Sequence, residues 1–237
     1  MDNKSIIYGI YGVGGFAKEI LPLLREEIYT RHANHNDVYF IVDSKYVDDN
    51  KTELNGCKII SYIDFLGLEA KDKYISIGIG NSQARKFLTD KSIEDGLRVV
   101  SIKSNNTVIY DNVTIGEGSV LCSFVTLTSD IKIGKGFQAN LYSYVAHDCV
   151  IGDYVTFSPS VRCNGNVEIG DETYIGTGVI INPGKPDGSK PIKIGRNVTI
   201  GEGVIVSKNI PDDTVVLLKA SKMIYLNLLE TDINDTY

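Results

Sequence analysis

No stretch of about 18 apolar residues occurs in these 237 residues, so no membrane-spanning helix is expected. Basic charge is not in excess either: 24 lysines and arginines face 30 aspartates and glutamates, a net charge of −6. That balance argues against a nucleic-acid surface. The four cysteines, Cys57, Cys122, Cys149 and Cys163, form no CxxC spacing. There are three histidines, and two of them, His32 and His35, stand in a polar loop, Arg31 to Asp37. No third ligand lies at a usable spacing there, so no metal site is expected. The amino terminus, Met1-Asp2-Asn3-Lys4, lacks a signal-peptide layout, and the expected location is the cytoplasm. At 43% hydrophobic and 23% charged, the chain reads as globular, with room for one large domain or two small ones.

What is present is a clock. From Ile109 every sixth residue is apolar: Ile109, Ile115, Leu121, Leu127, Ile133, Ala139, Val145, Ile151, Phe157, Cys163, Ile169, Ile175 and Ile181. A second apolar or small set follows four places later, and glycine often follows the first, as at Gly116, Gly134, Gly152, Gly170 and Gly176. A fixed short period means a repeat architecture, and a six-residue period means a β-helix. Cys149 and Cys163 fall on core positions and read as small buried hydrophobes in a reduced compartment. After Ile181 the clock stops and restarts at Ile194, Ile200 and Val206. The interruption, Pro183 to Pro191, is rich in proline and glycine and cannot continue a ladder, so it predicts a protruding loop. The flat outer faces of such a prism invite a trimer.

The first hundred residues obey another rhythm. Ser5–Tyr11, Val38–Val42, Tyr74–Ile79 and Leu97–Ile102 read as strands. Ala17, Ile20, Leu21, Leu24 and Ile28 have helical spacing, with Pro22 predicting a kink or an early restart. A second helix is expected near Ser82–Ile93. Alternating strands and helices argue a parallel α/β sheet the size of one mononucleotide-binding, Rossmann-like half. Gly12-Val13-Gly14-Gly15-Phe16-Ala17 satisfies G-x-G-x-x-A between a strand and a helix, where the backbone can approach a phosphate. Gly12, Gly14 and Gly15 are therefore candidate substrate contacts, with Asp43 and Ser44 at the end of the second strand. Asp43 lies too far on for the dinucleotide fingerprint, so a nucleotide carried by the substrate is preferred to NAD. Gly78, Asn81 and Arg85 follow the third strand and should face the same crevice.

His147 is the only histidine in the repeats, and it occupies a turn position. The paired halves, together with Val145-Ala146-His147-Asp148-Cys149-Val150-Ile151-Gly152-Asp153-Tyr154, Cys163 to Gly170, Ile200 to Val206 and the tail Lys219 to Met223, resemble the sugar O-/N-acyltransferases of the sialic-acid and bacillosamine pathways (the NeuD/PglD type). The resemblance covers Ile6 to Met223. It implies a left-handed parallel β-helix, an acetyl-CoA cosubstrate without a metal, a homotrimer with active sites at subunit interfaces, and His147 as general base. An imidazole near pKa ~6.5 suits that role, and Asp148 is implied as its orienting partner. The resemblance also assigns Gly165 and the Thr177–Gly178 turn to the pantetheine arm. Gly201, Gly203 and Lys208 lie further along the expected CoA groove, and Lys219 and Lys222 are candidates for its phosphates. Two departures stand out. Thr156 occupies the position of the family's second histidine, which contacts the acetyl-CoA carbonyl, and Phe16 replaces a histidine in the glycine-rich turn.

The expected layout is a nucleotide-sugar-binding α/β domain over 1–104, a β-helix over 105–212 with its loop at 183–192, and a tail over 213–237. Leu226, Leu228 and Leu229 suggest that the tail packs. A γ-carbonic anhydrase needs three histidine ligands for its zinc, and these repeats hold one. A sugar nucleotidyltransferase would need a larger first domain. The resemblance, rather than any residue above, implies N-acetylation of a UDP- or dTDP-linked 4-amino-4,6-dideoxy sugar for a surface glycan. O-acetylation of a sialic-acid-like sugar is the runner-up, and a non-catalytic nucleotide-sugar-binding protein is the alternative from another class.

Overall fold

A computed structural model describes residues 6–31, 37–185 and 187–218. His32, His35, Pro186, Lys219, Lys222, Leu226, Leu228 and Leu229 lie outside these residues.

The first half is a six-stranded sheet flanked by helices. Its elements are β1 (Ile6–Tyr11), α1 (Gly15–Arg31), β2 (Asp37–Val42), β3 (Glu53–Leu54), β4 (Cys57–Ser61), α2 (Tyr62–Gly67), β5 (Asp72–Ile77), α3 (Ser82–Glu94) and β6 (Arg98–Val99). The strand order is β3-β4-β2-β1-β5-β6. All neighbours are parallel except β3 and β4, which form an antiparallel hairpin. That hairpin turns on Asn55-Gly56, both with positive φ (49° and 76°), the dipeptide that favours such turns. The helix α1 runs through Pro22 without restarting. Pro22 sits on the exposed side, where water can take the carbonyl it leaves unbonded, while Leu21, Leu23 and Leu24 stay buried. The expected strand Leu97–Ile102 is in fact two. Arg98–Val99 closes the α/β sheet, whereas Ile102–Lys103 pairs with Val120–Leu121 as the first rung of the coil.

The second half is a left-handed β-helix with three parallel sheets. The first sheet runs in seven strands from Ile102–Lys103 to Val215–Val216, the second in six from Val108–Ile109 to Ile205–Val206, and the third in five from Val113–Ile115 to Ile192–Ile194. From Leu121 to Ile181 every residue of the six-residue column is buried, as are Ile194, Ile200 and Val206. Each fully buried isoleucine contributes roughly 1.5–3 kcal/mol. Ile109, at 36% exposure, and the half-buried Ile115 are the exceptions, because no earlier rung of the second or third sheet covers them. Cys149 and Cys163 are free and buried.

The corners explain the hexad's remaining regularity. From Asn112 to Gly178, every sixth residue adopts a left-handed backbone, with φ between 56° and 71°. This turns the chain after each short strand, and most of the corners use a non-glycine residue. The outer face of the first sheet carries the α/β half: Ile102, Val120, Gln138 and Thr156 are all buried there. Among the described residues no helix is long and apolar enough to cross a membrane.

Candidate active site

His147 lies on the corner between Tyr144–Val145 of the second sheet and Val150–Ile151 of the third. Its Nδ1 is 2.7 Å from Asp148 Oδ2. Adjacent side chains on an extended strand diverge. Here Asp148 is one of the left-handed corner residues, with φ 58°, and that turn brings its carboxylate back onto the ring. Both side chains remain open to solvent, at 63% and 60% exposure. Among the described residues no protein group bonds Nε2.

Gly165 occupies the same corner one coil on. A Cβ built there would lie 2.6 Å from both Cε1 and Nε2 of His147 and 3.0 Å from Nδ1. The imidazole therefore rests on bare backbone, and Asn166 donates its N–H to the His147 carbonyl at 2.8 Å. The next pass through this corner is the proline-rich loop. It is pinned to the same place: Gly184 N donates to Gly165 O at 3.0 Å, Asn166 Nδ2 to Lys185 O at 2.9 Å, and Ile192 N to Asn166 O at 3.2 Å. So the corner stacks the His–Asp pair, the glycine that seats it and the loop.

The other expected acyl-donor contacts are elsewhere. Thr156 is on the first sheet, buried, and its hydroxyl already donates to Gly80 O at 3.0 Å while accepting from Arg85 Nη2 at 2.9 Å. An oxyanion donor needs a free proton, so this hydroxyl does not fill that role from where it stands. Thr177 and Gly178 form the corner between the first and second sheets, at the opposite edge of the second sheet from His147. Gly178 N is spent on Pro159 O, Gly201 N on Val216 O, and Gly203 N on Thr177 O. The amides of Gly165 and Thr177 have no protein acceptor among the described residues. Lys208 is exposed beyond the last rung of the second sheet.

In the α/β half the structure brings most of the expected crevice together. Gly12, with φ 113°, is where β1 ends; its N–H bonds Ile41 O, and Gly78 N bonds Tyr11 O. These bonds hold the carboxyl ends of β1, β2 and β5 side by side. Nothing approaches a Cβ placed on Gly14 or Gly15 within 4 Å, so that turn is open. Gly78 serves packing instead, since a Cβ there would lie 2.9 Å from Ala17 Cβ. Asn81 caps α3, its Oδ1 accepting from Ala84 N at 2.8 Å. Ser44 is exposed. Asp43 accepts a 2.6 Å hydrogen bond from the Tyr11 hydroxyl, whose pKa is raised by burial and by that carboxylate. Tyr11 is a residue the strand pattern hid, because a tyrosine at a strand end reads as core.

Arg85 corrects an expectation. It is 1% exposed, and every N–H of its guanidinium faces a protein acceptor. No donor is left for a phosphate or a base.

A left-handed β-helix with an exposed His–Asp corner, behind a glycine-turn α/β half, defines the hexapeptide-repeat acyltransferase class. Residues 9–92 match the family model of the PglD N-terminal domain. A GDP-perosamine N-acetyltransferase of Escherichia coli O157:H7 is 39% identical over 181 residues, 76% of this chain and 80% of that protein. Among solved structures, WeeI from Acinetobacter baumannii AYE is 48% identical with a TM-score of 0.81, covering 90% of this chain and 97% of that one. PerB from Caulobacter crescentus, solved with CoA and GDP-perosamine, shares the fold at 22% identity and a TM-score of 0.76, covering 90% and 94%. The chain belongs to the sugar acyltransferases of the NeuD/PglD type.

Proposed function

We propose that this chain is an acetyl-CoA-dependent N-acetyltransferase acting on the amino group of a nucleotide-linked 4-amino-4,6-dideoxy sugar. The observation that carries the reading is the His147 ring, held through Nδ1 by Asp148 with Nε2 open to an incoming amine. The amine attacks the thioester carbonyl as Nε2 removes its proton. The tetrahedral intermediate then breaks its C–S bond, and the imidazolium returns a proton to the departing CoA thiolate. Asp148 stabilises that imidazolium and fixes the tautomer. The E. coli relative makes GDP-perosamine the first acceptor to test, ahead of the UDP- and dTDP-linked sugars that resemblance alone suggested.

The active site is shared between copies of the chain. Gly165 sits beside His147, but Thr177 lies across the second sheet, so one pantetheine arm touching both needs a neighbour's corner. A trimer of prisms supplies it. The open Gly14–Gly15 turn and Asp43 suit the nucleotide.

The test is thiol release from acetyl-CoA with GDP-perosamine and its UDP- and dTDP-linked counterparts, together with the product's gain of one acetyl group by mass. Release no faster than spontaneous hydrolysis with all three would overturn the reading. Two variants refine it. Asp148→Asn should lower kcat about tenfold with little change in KM, since it spares the contact but weakens the imidazolium's partner. Tyr11→Phe should raise KM for the nucleotide sugar about three- to tenfold, the cost of one hydrogen bond that orients Asp43. An unchanged KM would remove Asp43 from the substrate site.

A further inference from the structure

Among the described residues, Arg85 is the one charged side chain that the fold buries. Burying a guanidinium is costly unless all its donors are satisfied. Here they are, yet by neutral groups only. Nε donates to Gly136 O at 3.0 Å, and Nη1 faces Ile79 O, Gly80 O and Gln138 Oε1 at 3.0–3.1 Å. Nη2 faces Tyr154 O at 2.7 Å and Thr156 Oγ1 at 2.9 Å. Burial brings its pKa down to about 10, so it remains a cation at neutral pH.

The partners fall on two bodies. Ile79 and Gly80 belong to the turn between β5 and α3, at the rim of the nucleotide crevice. Gly136, Gln138, Tyr154 and Thr156 belong to the β-helix. Two further bonds close the same seam: Gln138 Nε2 donates to Ile77 O at 2.8 Å, and Thr156 Oγ1 to Gly80 O at 3.0 Å. Both turn carbonyls are thus drawn toward the β-helix. With no cis peptide present, the N–H groups of Gly80 and Asn81 are aimed the other way. An apolar residue of similar size could fill this space. Only a planar fork with five donors spans two carbonyls on one side and four acceptors on the other.

We propose that Arg85 is a positioning residue for the transfer reaction: by fastening the Ile79–Asn81 turn to the outer face of the β-helix, it fixes how far a nucleotide-held amino sugar reaches toward the acetyl donor. This rests on the acetyl-transfer reading above. Tethered substrates are sensitive to such geometry, because a misplacement of about 1 Å can cost about 10²-fold in rate.

The test compares wild type with Arg85→Lys, Arg85→Met and Thr156→Val. Assays use GDP-perosamine, a free amino sugar without nucleotide, and GDP alone for binding. Arg85→Lys keeps the charge and loses the fork. With GDP-perosamine, kcat should fall about 10–100-fold in both Arg85 variants and a few-fold in Thr156→Val, in line with that sensitivity. The affinity for GDP, the KM for acetyl-CoA and the slow rate on the free sugar should stay within about threefold of wild type, because none of them depends on reach. A parallel loss on tethered and free sugars, or an unchanged kcat in a folded Arg85→Lys, overturns the positioning role. If Arg85→Met does not fold, Arg85→Lys and Thr156→Val carry the same comparison. A wild type that acetylates no nucleotide sugar overturns the functional reading and this one with it. An active wild type whose variants keep their kcat overturns only this one.

Discussion

His147→Ala should lower kcat about 10²–10⁴-fold, the range that a positioned general base supplies. Acetyl-CoA affinity and thermal stability should barely move. The side chain is 63% exposed and seated on a glycine, so its removal opens no cavity, and surface changes of that kind are usually worth about 0.5 kcal/mol or less. The loss should also depend on pH in one direction. An alkyl amine near neutrality is mostly protonated, and the base must dispose of a proton before or during attack. As the pH rises, more of the acceptor arrives as free amine for both proteins alike, whereas only the wild type loses its base when an imidazole takes up a proton in acid, so the gap between His147→Ala and wild type should narrow as the pH falls. Steady-state kinetics of both proteins with saturating acetyl-CoA across that pH range make the check. A variant that keeps the wild-type rate would leave the pair at this corner without a catalytic role. A gap that stays constant into acid solution would mean that the imidazole does not act as the base.

Much of the scaffold was legible because the β-helix writes its geometry into the sequence. A column residue that misses the core is expensive, so Leu121 through Ile181 keep strict time and all of them are buried. The corners were less legible. Left-handed backbone recurs at Phe124, Tyr142, Tyr154 and Glu172, residues that alone would argue against it, because the coil imposes the turn whatever the side chain. The same fact decides the His147–Asp148 contact. Strand logic sends adjacent side chains apart, and only the φ of 58° at Asp148 joins them. Asn55-Gly56 is a hairpin signal that the sequence carries openly. The meaning of Arg85 was not readable: an arginine at the start of a helix after a parallel α/β strand looks like a phosphate ligand. Its real partners, Gly136 and Tyr154, are 51 and 69 residues away. The role of Thr156 is hidden for a related reason. Its position in the chain matches a catalytic one, but its hydroxyl closes a seam between the halves.

Gly165→Ala should be the most telling substitution that leaves every charged and polar side chain in place. The glycine is not among those with positive φ, so alanine meets no backbone strain there, and the new methyl has only the far end of an exposed side chain to displace. At 2.6 Å from Cε1 and Nε2, the methyl and the present ring position exclude each other. The ring must lift or swing, and its 2.7 Å bond to Asp148 cannot survive both movements. The fold should persist, with a melting temperature close to wild type, while kcat falls about 10–100-fold through misplacement of the base. Because the damage passes through His147, Gly165→Ala combined with His147→Ala should be no slower than His147→Ala alone, the non-additivity expected of residues in contact. The outcome also separates two uses of this glycine. If its free amide holds the pantetheine arm, the change should appear as a raised KM for acetyl-CoA, and the double variant should be worse than either single one. If its missing side chain seats the imidazole, KM should hold and kcat should carry the loss. The van der Waals conflict with the ring is present whether or not CoA is bound, which favours the second result.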